Sequence, residues 1–245
     1  MGKTYLITGA NRGIGCGMFE HYAAQPNNTV IAAVRDVNGA QSLHNVPKGA
    51  NTTVLITKID SSSKTDAFEA ATDIQTQNVT HLDVIVSAAG MVKMGSVEDI
   101  SLEDYEEGLM VNGISVMLLY KAMLPLLRKA ARPARFAFIS AIGGSLTEME
   151  RYPYPNISYA SSKAVANSLV RKMGLENDWL ITLCIHPGIV QTEMGNMAAQ
   201  AFGLEEAPVT LKECSTKTAN IVNNATKKDH SGKFFNETID QFIPW

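Results

Sequence analysis

Tyr5-Leu6-Ile7-Thr8-Gly9-Ala10-Asn11-Arg12-Gly13-Ile14-Gly15 places an apolar run directly ahead of three glycines. The run reads as a short strand turning into a helix, and the glycines let the backbone take tight conformations and approach a ligand closely. A helix starting there aims its free N–H groups and its positive dipole end at the turn, an arrangement suited to a diphosphate. The spacing, Gly9-x-x-x-Gly13-x-Gly15, departs from the common G-x-G-x-x-G fingerprint. The turn therefore points to a dinucleotide without fixing which one.

Short apolar or β-branched runs recur along the chain at Thr4–Ile7, Thr29–Val34, Thr53–Ile59, Val84–Ser87, Arg135–Ser140, Leu180–Ile185 and Gly232–Phe235, with helical patterns between them. Continuous apolar strands alternating with helices predict a parallel sheet covered on both faces. Right-handed crossovers make that sheet a single Rossmann-like, doubly wound α/β domain over 1–245, of about seven strands, with its crevice at the carboxyl ends of the strands. A chain of 245 residues, 45% of them hydrophobic, has ample material for such a core. A long helical pattern covers Leu102–Ala131, with Leu109, Val116, Leu119, Met123 and Leu127 on one side. Gly143–Ile157, which carries Tyr152-Pro153-Tyr154-Pro155, and Glu193–Pro208, rich in Met, Ala and Gly, break the rhythm and are expected to overhang the crevice as loops.

A net charge of −3 with scattered Lys and Arg gives no basic field for nucleic acid. No run reaches the roughly 18 consecutive apolar residues of a membrane span, and the opening Met1-Gly2-Lys3-Thr4 leads straight into the first strand. Cys16, Cys184 and Cys214 lie far apart without C-x-x-C pairs, so reduced thiols in the cytoplasm are expected and no metal site.

Later comes Tyr159-Ala160-Ser161-Ser162-Lys163, with Tyr and Lys on one helical face. With Val111-Asn112-Gly113 and Pro187-Gly188-Ile189-Val190-Gln191-Thr192, it resembles the short-chain dehydrogenase/reductase family, in that family's order and over nearly the whole chain. Looser cues resemble the family's fungal norsolorinic acid ketoreductase-like and carbonyl reductase members: the Gly143-Gly144-Ser145-Leu146 turn, the proline-containing insert, and the ending from Gly232 through Trp245. The resemblance implies a nicotinamide cofactor held by Gly9, Asn11, Arg12, Gly13, Ile14, Gly15, Asp60, Ala89, Gly90, Tyr159, Lys163, Pro187, Gly188, Val190 and Thr192. It also implies a homodimer or homotetramer formed through the long helix and the one after Tyr159. The second strand ends Ala33-Val34-Arg35-Asp36, with a cation where an NAD-preferring fold places an acid; Asp36 falls one residue late. Arg12 and Arg35 together suit a 2′-phosphate, so NADP(H) is expected over NAD(H). Ser87-Ala88-Ala89-Gly90 carries Ala88 where relatives commonly have Asn, which puts local rigidity in question.

In the family mechanism Tyr159 would exchange a proton with the substrate oxygen, Lys163 would tune it and hold the nicotinamide ribose, and Asn112 would anchor a water in a proton relay. The family's catalytic Ser falls on Ala141 in Ile139-Ser140-Ala141-Ile142-Gly143-Gly144-Ser145. Ser140 could take its place if the strand end is turned by one residue, or Ser145 could reach in from the glycine turn. Alternatively the pocket serves a non-redox cyclisation or isomerisation, or an inactivated site. The reading is thus an NADP(H)-dependent ketoreductase of a bulky, aromatic or polyketide-like carbonyl or alcohol, with Tyr152, Tyr154, Met149, Met194, Met197 and Phe202 as apolar contacts and a cofactor-binding protein of non-redox function as the alternative. His186 is read as a packed residue rather than a catalyst.

Overall fold

The computed structural model describes residues 2–245. Strands β1 (Thr4–Thr8), β2 (Thr29–Val34), β3 (Thr53–Lys58), β4 (Val84–Ser87), β5 (Ala134–Ile139), β6 (Leu180–His186), β7 (Lys233–Asn236) and β8 (Gln241–Phe242) form one sheet in the order β3-β2-β1-β4-β5-β6-β7-β8. All neighbours run parallel except β7 and β8, an antiparallel pair that adds an edge strand to the seven expected. The order reverses between β1 and β4, so the loops after these two strands diverge and open a crevice at the strand ends.

Strand alternation divides the core into two layers. Leu6, Phe136, Phe138 and Cys184 face α2 (Asp66–Thr76), α4 (Ser115–Leu127) and α5 (Ile157–Glu176). Ile7, Ala137, Ile139 and Ile185 face α1 (Gly13–Ala23) and α7 (Leu211–Asn224). Both faces are dry, which is why these strands read as unbroken apolar runs.

Two helical expectations are corrected. The pattern over Leu102–Ala131 is α3 (Leu102–Leu109), a π-helical turn Met110–Ile114, then α4, which ends at Leu127. Leu102–Leu127 is long and apolar enough to cross a membrane, with a mean hydropathy of 1.5 over an 18-residue window, but Val116, Leu119, Met123 and Leu127 pack it into the core. Glu193–Pro208 is not all loop, since α6 (Glu193–Ala201) starts where the Thr192 hydroxyl accepts the Gly195 N–H at 3.0 Å and caps the helix.

The end of α5 is closed by a distant lysine. Lys227 Nζ donates to the carbonyls of Gly174, Asn177 and Leu180, the last two at 2.7 and 3.0 Å, satisfying acceptors that the helix end leaves free. The helix that carries Tyr159 and Lys163 is thereby fixed at its far end.

Candidate active site

The glycine turn is shaped by contact with the loop after β4. Gly9 has φ +66°, and a Cβ there would lie 3.0 Å from Ala89 Cα; one on Gly15 would lie 2.4 Å from the Gly9 carbonyl oxygen. The Thr8 hydroxyl accepts from the N–H groups of both Ala88 and Ala89 at 3.1 Å. The loop that lacks an asparagine at Ala88 is therefore pinned by the threonine that opens the glycine motif.

This cradle fits a dinucleotide. At the start of α1 the N-cap residue Arg12 supplies no side-chain cap, and no acidic residue occupies the first turn. The free N–H groups and the dipole end are thus left for an anion. Gly9, Asn11, Arg12, Gly13, Ile14, Gly15, Arg35, Asp60, Ala89, Gly90, Pro187, Gly188, Val190 and Thr192 all line the same crevice, as do Tyr159 and Lys163.

The two arginines differ. Arg12 pairs with Glu193 on α6 at 3.0 Å, across the mouth of the crevice. Arg35 is exposed and makes no ion pair among the described residues. Asp36 caps the following turn through the Asn38 N–H at 3.0 Å. Asp60 accepts from Ser62 through its backbone N–H and its hydroxyl, at 2.9 and 2.7 Å. The Pro187–Thr192 segment is tied to Val209 by Gln191 N–H to the Val209 carbonyl and Val209 N–H to the Ile189 carbonyl, at 2.8 and 3.1 Å.

At the chemical end, α5 presents Tyr159 and Lys163 one turn apart. Lys163 is almost fully buried; its Nζ donates to the Ile139 carbonyl at 2.7 Å and lies over the rings of Phe138 and Tyr159, at 4.6 and 5.4 Å from their centroids. Burial lowers the Lys163 pKa to about 7, the buried Cys184 opposing the shift. Burial pushes the Tyr159 hydroxyl up to about 12. Before a cofactor binds, the phenol is thus neutral while Lys163 gains and loses its proton near neutral pH, and new charge or hydrogen bonds must retune the pair.

Asn112 lies beneath the site rather than in it. Its carboxamide is fully buried, accepting from Met91 N–H at 2.9 Å and donating to the Met91 carbonyl and Ser162 Oγ at 2.9 and 3.0 Å. The side chain therefore clamps the β4 loop to α5.

The two serines that could have replaced the hydroxyl missing at Ala141 are both engaged elsewhere. Ser140 lines the crevice, but its hydroxyl donates to Asn167 Oδ1 at 2.7 Å. Ser145 is fully buried, donates to the Pro244 carbonyl at 2.6 Å and accepts from Glu148 N–H at 3.2 Å. Ala141 itself lines the crevice as the first residue of the turn into Ile142–Gly144.

Sequence reasoning placed Met149, Tyr152, Tyr154, Met194, Met197 and Phe202 over the crevice, and all six line it. Tyr154 and Phe202 meet edge to face, centroids 4.5 Å apart, so the insert before α5 touches the segment after α6. Missed were Glu193, Thr8 and Asn167, whose partners are distant in sequence and leave no local signal.

Known proteins resemble this chain over nearly its whole length. The family model for short chain dehydrogenases matches residues 3–202. Norsolorinic acid ketoreductase nor1 of Dothistroma septosporum is 37% identical, over 99% of this chain and 92% of that protein. Short-chain dehydrogenase RED3 of Pyricularia oryzae is 38% identical, over 99% and 98%. Among solved structures, NADPH-bound carbonyl reductase from chicken fatty liver superposes with a TM-score of 0.85 at 27% identity, covering 99% of this chain and 94% of that one.

Proposed function

The chain belongs to the short-chain dehydrogenase family, and we propose that within it this oxidoreductase is an NADP(H)-dependent ketoreductase of a bulky, apolar, aromatic or polyketide-like carbonyl compound. The observation that carries the reading is Tyr159 and the buried Lys163 side by side on α5, at the end of a crevice whose other end offers an uncapped helix N-terminus and an exposed Arg35.

When bound, the nicotinamide would supply or accept hydride. Gly9, Gly13 and Gly15 would bring the backbone to the diphosphate, and Arg35, with Arg12, would take the 2′-phosphate. Tyr159 would give its hydroxyl proton to the substrate oxygen during reduction. Lys163, held by the Ile139 carbonyl, would keep positive charge beside that phenol and lower its cost of ionising. Because the Asn112 carboxamide is occupied by Met91 and Ser162, Asn112 would support a proton relay by fixing the backbone around Lys163. The Met and aromatic residues of the two overhanging segments would exclude water and select a flat apolar substrate.

Exposed Val165 and Leu175 on α5 and Leu102 on α3 support assembly into a homodimer or homotetramer through these helices, and the reduced thiols suit the cytoplasm. The test is NADPH consumption with a panel of aromatic ketones. Turnover lost in Tyr159→Phe, with NADPH binding retained, supports the reading. No turnover by the unmodified protein, despite confirmed NADPH binding, favours non-redox use of the pocket.

A further inference from the structure

A family ketoreductase needs two donors at the substrate oxygen, and here only Tyr159 has a free one, since position 141 is Ala and the hydroxyls of Ser140, which lines the crevice, and of Ser145 are spent on Asn167 and Pro244. One polar group in the same region has no partner. His186 ends β6, where Ile185 pairs with Ile139 and accepts the Ser140 N–H at 2.8 Å, so the imidazole stands beside the Ser140–Ala141 strand end. By strand alternation it shares the sheet face of Cys184, the face that carries α5 with Tyr159 and Lys163. It lines the crevice.

Its Nδ1 is shut off from solvent and has no hydrogen-bond partner, whereas Nε2 is not among the buried unpartnered atoms and makes no hydrogen bond to the described residues. Burial lowers the His186 pKa to about 4, so the ring is neutral at pH 7. A neutral imidazole carries one N–H and one lone pair. Orphaned buried N–H groups are rarer than under-satisfied acceptors, which puts the lone pair on Nδ1 and the proton on the open Nε2. The residue that the sequence presents as packing thus lines the crevice and carries a donor that no neighbour uses.

We propose that His186 is the second hydrogen-bond donor of this site, its Nε2–H meeting the substrate oxygen beside Tyr159 in place of the hydroxyl absent at Ala141. The proposal rests on the ketoreductase reading. His186 keeps its proton throughout, while Tyr159 gives its own to the oxygen.

Two measurements test it. In protein labelled with ¹⁵N-histidine at pH 7, two-bond correlations should show the Nε2–H tautomer for His186, and adding an aromatic ketone to the NADP⁺ complex should shift the Nε2 resonance. An Nδ1–H tautomer, an imidazolium, or a resonance indifferent to the ketone overturns the proposal whether or not turnover is seen. In kinetics, removing one such donor typically costs about 10²- to 10³-fold. His186→Met should lose kcat on that scale while its NADPH dissociation constant stays within about twofold, and His186→Gln, which keeps an amide donor, should recover much of the loss. Ala141→Ser should raise kcat far more in the His186→Met background than in the unmodified protein, because the two donors serve one oxygen; equal gains in both backgrounds, or full activity in His186→Met, overturn the assignment and leave the ketoreductase reading intact. Absence of turnover by the unmodified protein with every ketone instead overturns that reading, and with it the role given to His186.

Discussion

Replacing Arg35 by Asp should reverse the cofactor preference, and the structure sets the scale of the change. Arg35 is exposed at the end of β2, lines the crevice and has no ion pair among the described residues, whereas Arg12 is held 3.0 Å from Glu193. The larger share of 2′-phosphate recognition would therefore fall to Arg35. A charge-assisted hydrogen bond contributes about 1.5–3 kcal/mol, and exposure with salt screening favours the lower end. About 1.5–2 kcal/mol corresponds to roughly 10- to 30-fold in dissociation constant. Fluorescence titration of NADPH and NADH at fixed ionic strength should give that ratio in favour of NADPH, and Arg35→Asp should bring it to one or below. Glu193→Gln should move the ratio the other way, because it frees Arg12 and removes a carboxylate from the phosphate's surroundings. Equal affinities in the unmodified protein, or an unaltered ratio in Arg35→Asp, would refute the reasoning.

Lys227→Met should cost about 2–4 kcal/mol through the three carbonyls left without their charged donor, read as a drop of roughly 4–16 °C in Tm. Asn112→Ala should destabilise by a similar amount, since it orphans the buried Met91 backbone groups; denaturant titration measures it, and a change below ~0.5 kcal/mol would contradict the clamp. Lys163 has its folded pKa near 7, below its unfolded value, so above pH 7 the unfolded chain binds the extra proton and stability should rise with pH. The slope approaches ~1.4 kcal/mol per pH unit, and the window closes as unfolded cysteines begin to ionise near about pH 8.5. Urea denaturation of the cofactor-free protein between these limits should show the rise, and Lys163→Met should flatten it.

How far the sequence exposes this architecture follows from how local each signal is. β2 and β4 coincide with their apolar runs because burial on both faces leaves no other pattern. The glycine turn and the Tyr159–Lys163 pair are equally legible, being short-range devices. β8 was invisible, since Gln241–Phe242 is too short for any periodicity and both residues are exposed. The helix α6 hid in a segment notable for Met and Gly, its start marked only by the Thr192 cap. The fate of the hydroxyls at Ser140 and Ser145 could not be read, because Asn167 and Pro244 decide it from 27 and 99 residues away. His186 shows the same limit: an unpartnered ring nitrogen is a property of the packed strand ends and has no sequence signature.

The central claim is that this crevice carries hydride and proton to a ketone, and isotope transfer tests it most directly. NADPH deuterated at the reactive position of the nicotinamide, incubated with the unmodified protein and an aromatic ketone, should give an alcohol with deuterium on its carbinol carbon. The same incubation with Tyr159→Phe should give at most a trace, although NADPH still binds. Deuterium that stays wholly in the cofactor with every ketone tried, or equal transfer by Tyr159→Phe, would contradict the account.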